Sequence, residues 1–232
     1  MSEAPARSVP LAWLLLLLSV TTGLVDAISV LGLGKVFTAN MTGNVVFLGF
    51  AAAGTPGFRV APYLVAMLSF LVGALVAGRT GKAHNDKPLR RWLMTAATIE
   101  AALLWIAAWV SIDFDIASQT PGTSLYAVIA LTGLAMGFRN ATIRQLKVPD
   151  LTTTVLTLTL TGLAADSSLA GGANPNWARR IAAVVAIFLG AAAGAWLVTH
   201  VGLTLPLVIA GALILAGTAA CALHPASRSP IS

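Results

Sequence analysis

The chain has 232 residues, of which 57% are hydrophobic and only 9% are charged, and its mean hydropathy is +0.87. This composition excludes an ordinary soluble globular domain and is typical of an integral membrane protein. The net charge of +6 does not indicate nucleic-acid binding, because Lys and Arg between hydrophobic spans are what the positive-inside rule produces. The single cysteine, Cys221, excludes an intrachain disulfide.

The first hydrophobic stretch follows a polar tail of ten residues and has two interpretations. Residues 11–18 resemble the core of a signal peptide, and the small residues Val25 and Ala27 flank Asp26 as in a cleavage site. The hydrophobic character nevertheless continues to residue 34, which is long enough to cross a bilayer. We therefore favour a retained first transmembrane helix.

The rest of the chain alternates long and short hydrophobic segments. The sequence predicts full spans at residues 60–78, 92–112, 124–143, 181–199 and 203–223. Two shorter apolar segments, residues 41–53 and 155–165, follow polar stretches and are too short to cross alone. Each is predicted to be a re-entrant or broken helix, because irregular backbone at membrane depth survives only inside protein or against a water-filled cavity.

The polar stretch before the first short segment carries a resemblance. Thr38-Ala-Asn-Met-Thr-Gly-Asn44, preceded by Gly23-Leu-Val-Asp26, resembles the signature of the YoaK-like family of bacterial multipass inner-membrane proteins. That family has no assigned function. The resemblance therefore implies an integral membrane protein of the cell inner membrane and leaves its activity open.

The two halves of the sequence align with each other. Gly23-Leu24 matches Gly133-Leu134, and after a longer loop Gly73 matches Gly194. We accordingly divide the chain into an N-terminal tail (1–10), a first membrane repeat (11–112), a second membrane repeat (113–223) and a C-terminal tail (224–232).

Charge favours re-entry of the short segments over crossing. Six spans place twelve of the 14 Lys and Arg residues in the cytoplasm and only Lys35 and Arg59 outside, whereas eight spans split them nine to five. With three spans in each half, the repeats have opposite orientations. The predicted fold is thus an all-α membrane protein with six transmembrane helices and two short re-entrant helices, a 3+3 inverted repeat with both termini in the cytoplasm.

Polar residues within the apolar segments are the candidate site. Ionisable groups inside a span usually pair, face the bundle interior or mark an ion path. For Glu100 and Arg139 the alternative is a position close enough to an interface to reach water. The repeat alignment suggests that Arg139 pairs with Asp26. The predicted substrate-binding residues are Asp26, Asn40, Thr42, Asn44, Glu100, Arg139, Asn140, Thr152 and Thr154.

These features favour a secondary transporter or channel for a small solute or ion, because discontinuous helices at matching places in inverted repeats build midplane sites in transporters. The alternative is a structural or regulatory membrane subunit. We find no phosphate-binding loop, no metal-spaced His/Cys cluster and no nucleophile with its base, so we expect neither enzymatic activity nor a cofactor. The expected partners are the lipid bilayer, the small solute or ion and, as a homo-oligomer, further copies of the chain.

Overall fold

The structure is a computed structural model that describes residues 4–84, 87–146 and 156–224. These residues form eight α-helices and one short 3₁₀ turn, Ser168–Ala170. The helices are α1 (Ala4–Gly32), α2 (Met41–Ala52), α3 (Val60–Lys82), α4 (Leu89–Val110), α5 (Gly122–Leu146), α6 (Leu156–Ala165), α7 (Trp177–Val201) and α8 (Thr204–Leu223). The long apolar runs and the two short ones predicted from the sequence are thus helices.

Five of the helices, α1, α3, α4, α7 and α8, are long and apolar enough to cross a membrane. The remaining predicted span, residues 124–143, lies in α5, whose 25 residues correspond to about 37 Å, more than the thickness of a bilayer core. Arg139 and Asn140 lower its hydropathy, so α5 is not among the five. The helices α2 and α6 span only about 18 Å and 15 Å.

Two helix pairs make the most extensive contacts in the bundle, α3 with α5 and α1 with α7. Glycine allows these close approaches: a Cβ atom at Gly73 would overlap the Leu134 carbonyl, and one at Gly190 would overlap the Val20 carbonyl. Small residues let helix backbones approach where lipid supplies no hydrophobic driving force. The helices α4 and α8 pack on each other, α4 also packs on α5, and α8 packs on α1.

The contacts also fix the relative directions of the helices. Gly190 faces Val20 and Gly194 faces Leu24, so α7 runs parallel to α1. Likewise Gly133 faces Ala66 and Gly137 faces Phe70, so α5 runs parallel to α3.

The loop between α4 and α5 lies where α1 ends. Gln119 donates a hydrogen bond from its Nε2 atom to the Gly32 carbonyl oxygen at 3.0 Å. We call this side of the bundle the Gln119 end. The opposite side, where α5 ends and α7 begins, is the Arg180 end.

Both ends of the segment that contains α2 lie at the Gln119 end. The ammonium group of Lys35, just after α1, lies 5.2 Å from the ring centroid of Phe58, just before α3. The chain therefore enters and leaves this segment on one side of the bundle.

The segment that contains α6 has the same relation to the Arg180 end. Arg180, in the first turn of α7, forms an ion pair with Asp166, just after α6, at 2.7 Å. A Cβ atom at Gly162 would contact the Arg180 guanidinium group. Chain and ion pair thus hold the C-terminal end of α6 where α7 begins. The polar stretch before α6, including Thr152 and Thr154, lies outside the described residues.

Candidate functional site

The connection from α1 to α2 is irregular backbone held inside the protein. Asn44 is fully buried; its Oδ1 accepts a hydrogen bond from the Phe37 amide at 2.9 Å, and its Nδ2 donates to the Phe37 carbonyl oxygen. A single side chain thus replaces the two backbone partners that Phe37 would have in a helix or a sheet. Asn44, one of the predicted substrate-binding residues, thus holds the backbone of this segment at Phe37.

Asp26 connects the same segment to α1. Its Oδ1 atom accepts a hydrogen bond from the Ala39 amide at 3.3 Å. Asp26 lies six residues before Gly32, the end of α1, which corresponds to about 9 Å along the helix. The start of α2 is therefore held well below the Gln119 end, next to a half-buried carboxylate.

The other polar residues of the motif divide into exposed and buried ones. Asn40 is the N-terminal cap residue of α2, but its side chain makes no capping hydrogen bond, and both Asn40 and Thr42 are exposed. Thr38 is completely buried, and its hydroxyl oxygen has no hydrogen-bond partner. Sequence reasoning placed Thr38 in the motif but did not select it as a site residue.

A buried ion pair joins the two halves of the chain. Arg139 on α5 binds the Glu100 carboxylate on α4 through its Nε and NH2 atoms, and the two residues are 2% and 4% exposed. The NH1 atom of Arg139 also donates to the Leu18 carbonyl oxygen at 3.2 Å and to the Thr22 hydroxyl at 3.0 Å. Arg139 therefore links α5 to both α4 and α1.

These contacts correct one sequence-based prediction. Arg139 was expected to pair with Asp26, yet its ion-pair partner is Glu100. Asp26 and Thr22 are four residues apart on one face of α1, so the guanidinium group stops one helical turn short of Asp26. The alternative, that Glu100 and Arg139 reach water at an interface, is also wrong, since both are buried among α1, α4 and α5.

A cavity of about 20 Å³ adjoins the ion pair on the side of the Arg180 end. It is lined by Glu100, Arg139, the hydroxyl-bearing residues Thr142 and Thr218, and apolar side chains. A polar cavity needs roughly 10–15 Å³ to hold one water molecule. This space therefore has the size and polarity for a single water beside the charges.

A larger cleft of about 320 Å³ opens at the Gln119 end. Its walls come from both sides of α2 and from the α4–α5 loop, namely Gly34, Gly57, Arg59, Pro62, Tyr63, Ser118 and Gln119. In that loop Asp115 accepts hydrogen bonds from Ser118 and from the Ala117 amide, which lower the pKa of this exposed carboxyl. Arg59, Ser118 and Gln119 give the cleft a partly polar lining beside the segment that contains α2.

Asn140 does not join the group around Arg139. It is half-buried, and its Nδ2 atom donates to the Met136 carbonyl oxygen of its own helix at 2.8 Å. The structure thus brings together Asp26 and the start of α2, and separately Glu100 and Arg139. Among the described residues, no group of three or more His, Cys, Asp or Glu side chains is arranged to hold a metal ion.

Comparison with known proteins assigns a family but no activity. The profile of a family described as protein of unknown function (DUF1275) matches residues 14–220. The chain is 35% identical over 159 residues to the UPF0700 transmembrane protein YoaK of Bacillus subtilis (strain 168), a match covering 67% of this chain and 66% of the relative. The aligned region thus spans slightly less than two thirds of that relative. No solved structure matches the chain.

Proposed function

Since the chain belongs to the DUF1275 family of unknown function, which includes YoaK-like transmembrane proteins, we propose its activity from its geometry. We propose that this membrane protein is a secondary transporter or channel for a small solute or ion, without enzymatic activity. The observation that carries the proposal is the re-entrant segment at Asp26. There, irregular backbone and the start of a half-length helix lie beside a carboxylate inside the bundle.

An inverted repeat is the proposed architecture, and equivalent glycine contacts support it. Gly73 faces the Leu134 carbonyl, and Gly194 faces the Leu24 carbonyl. The glycines match each other in the sequence alignment of the halves, and so do the leucines. Both contacts join the two halves, and exchanging the halves converts one contact into the other.

A second pair of contacts follows the same rule. Gly133 faces the Ala66 carbonyl, and Gly23 faces the Ile187 carbonyl, again at aligned positions. Because α1 and α7 run from the Arg180 end to the Gln119 end while α5 and α3 run back, matched helices have opposite directions. Six spans with two re-entrant helices are the membrane arrangement that this pattern favours.

Charge supports one orientation in the membrane. Lys35 and Arg59 lie at the Gln119 end, whereas the other described basic residues of the loops cluster at the Arg180 end, on the last turns of α3 and α5 and the first turns of α4 and α7. The positive-inside rule then puts the Arg180 end in the cytoplasm. Both termini are cytoplasmic in this orientation, in the inner membrane.

The site chemistry favours a small polar or ionic ligand. The N-terminus of a helix carries a partial positive charge and unpaired amides, which bind anions and polar acceptors. The start of α2 lies at Asp26, and the cleft lies at the Gln119 end, where the chain enters and leaves the segment that contains α2. We propose that the cleft admits the ligand and that the start of α2 and Asp26 bind it.

The test begins with a thermal-shift screen of small solutes and ions on the purified protein in detergent, followed by flux in proteoliposomes. A true ligand raises the melting temperature of wild type and of Asp113→Asn, a control in an exposed loop, but not that of Asp26→Asn. The same ligand must then cross the membrane only with wild type and the control. A ligand whose binding and flux are unchanged in Asp26→Asn would contradict the proposed site.

A second candidate function is a structural or regulatory membrane subunit. It is favoured because two predicted substrate-binding residues already form hydrogen bonds within the protein. Asn44 is bonded to Phe37, and Arg139 is bonded to Glu100, Leu18 and Thr22. Polar side chains of this kind also serve to hold membrane helices together. Absence of flux for every ligand that binds would favour this candidate.

We also propose that the protein is a homo-oligomer. Asn40 and Thr42 are exposed where irregular backbone starts α2, and polar irregular segments are not tolerated against lipid. A second copy of the chain would cover them. The mass of the detergent-solubilised protein tests this proposal, and a monomer would contradict it.

A further inference from the structure

The membrane-embedded interior has an unbalanced charge. Among the described helices, the acids in the middle of the bundle are Asp26 and Glu100, and the base is Arg139. Arg139 forms its ion pair with Glu100, so the carboxyl group of Asp26 has no ion-pair partner in the bundle interior. An ionised carboxylate in a low-dielectric interior is costly unless a positive charge neutralises it.

The partial positive charge at the start of α2 and the Arg139 guanidinium, one helical turn away, offset part of this cost, but no full positive charge pairs with Asp26. The described residues include no Lys, Arg or His side chain within ion-pair distance of it, and the Lys35 ammonium lies instead over the Phe58 ring. On α7, which packs against α1, the charged residues Arg179 and Arg180 are at the far end, and His200 is exposed. The helix α8 carries no charged residue at all.

The hydrogen bonds of Asp26 are also incomplete for a fully charged group. One carboxylate oxygen accepts the Ala39 amide, whereas a carboxylate can accept about four hydrogen bonds. Next to Ala39 in the chain, the buried hydroxyl of Thr38 has no partner either. The segment around Asp26 thus holds unused polar groups together with a carboxyl group that has no ion-pair partner.

We infer that Asp26 is the binding site of a coupling proton, taken up from the cleft at the Gln119 end and released toward the Arg180 end. This inference rests on the proposed transport function and names its coupling ion. The Asp26 carboxylate accepts a proton from water and returns it to water, so the step needs no other reactant. Glu100 is held in an ion pair with Arg139, whereas Asp26 has no ion-pair partner among the described residues, so the geometry assigns the exchanging proton to Asp26.

The test uses dicyclohexylcarbodiimide, an apolar reagent that modifies protonated carboxyl groups inside membrane proteins. The wild-type protein in proteoliposomes is treated over a range of pH, and the modified residue is located by peptide mass spectrometry. Glu100 serves as the comparison within the same chain. We expect modification of Asp26 that falls roughly tenfold for each pH unit above its midpoint, as for a single titrating group, and no modification of Glu100.

Other outcomes would overturn the inference. Modification of Glu100 in place of Asp26, or modification of Asp26 that does not change with pH, would exclude the assigned proton site. Protection of Asp26 by Na⁺ at constant pH would replace the proton with a sodium ion. Since no transported solute is required, the result is independent of the flux assay, which judges the transport function separately.

A second measurement removes any dependence on access of the reagent. At about pH 6, where exposed Asp and Glu side chains are ionised, the infrared C=O band of a protonated carboxyl group should be present in wild type and in Asp113→Asn and lost in Asp26→Asn. A band that persists in Asp26→Asn would contradict the assignment.

Discussion

The α3–α5 and α1–α7 interfaces are built alike, but the polar groups beside them are not. Gly73 packs on Leu134 in one interface as Gly194 packs on Leu24 in the other. The same alignment puts Asp26 of α1 opposite Met136 of α5. One position is a half-buried carboxylate that holds the re-entrant segment, and the other is a fully buried apolar side chain.

The residues that pack the helices are therefore shared by the two halves, whereas the buried charged residues are not. Small residues at matched positions suffice to pack the helices, and they recur in both halves. The charged groups occur in one half or the other: Asp26 and Glu100 in the first, Arg139 in the second. Because Arg139 reaches across to α4 and α1, the buried charges lie where the two halves differ from each other.

The largest expected effect comes from breaking the ion pair between the halves. Arg139→Gln or Glu100→Gln leaves a buried charge without its partner, which typically costs about 3–5 kcal/mol. The double variant Glu100→Gln/Arg139→Gln should lose less free energy of unfolding than the sum of the two single variants. Reversible denaturation in mixed micelles measures each loss.

Asp26 provides the control for this cycle. Since Asp26 is not the ion-pair partner of Arg139, losses in Asp26→Asn and Arg139→Gln should be nearly additive. Strong coupling between Asp26 and Arg139, with additive losses for Glu100 and Arg139, would show that the pairing described here is wrong.

A second prediction concerns the symmetric part of the comparison. Gly73→Leu and Gly194→Leu should destabilise the protein by similar amounts, about 1–3 kcal/mol each, since overpacked contacts force backbones apart. Gly78→Leu in α3 is the matched control, because open space surrounds that position. Melting temperature and folded yield in detergent report the effect.

Unequal losses would weaken the equivalence of the two interfaces. A wild-type melting temperature in both Gly73→Leu and Gly194→Leu would mean that these helix faces contact lipid.

The smallest expected effect separates the two asparagines of the motif. Asn44→Ala removes both side-chain partners of the Phe37 backbone and should cost about 1–3 kcal/mol. Asn40→Ala removes an exposed side chain without a capping bond and should stay within about 0.5 kcal/mol of wild type. Thermal unfolding in detergent distinguishes them, and equal losses would refute the assigned role of Asn44.

Much of the helical arrangement follows from the sequence because hydropathy and length determine it. The long and short apolar runs and the polar start of α2 were predicted, and Gly73 and Gly194, which the alignment of the halves matched, lie in equivalent helix interfaces. In a membrane only continuous helices satisfy the backbone over long apolar stretches, so few alternatives compete. The stretch with Thr152 and Thr154 remains a prediction.

The contacts within the site were harder to predict. Whether Arg139 turns toward Asp26 or toward Glu100 depends on the rotation of α5 about its axis, which residue spacing alone does not fix. Opposite charges in neighbouring spans were the available signal for the Glu100–Arg139 pair. Nothing in the sequence indicated the contact of Gln119, because its hydrogen bond to the Gly32 carbonyl oxygen joins a loop to a helix 87 residues away in the sequence.

The most direct test of the inverted repeat asks on which side of the membrane two loops lie. They are the α4–α5 loop and the loop that follows α6. Single cysteines replace Ala117, at the Gln119 end, and Ser168, after α6, in a Cys221→Ala background; both positions are exposed. The inverted repeat predicts that the cysteine at 117 reacts with a membrane-impermeant thiol reagent in intact cells. The cysteine at 168 should react only after the cells are permeabilised. Reaction of the cysteine at 168 in intact cells would contradict the inverted repeat with two re-entrant helices.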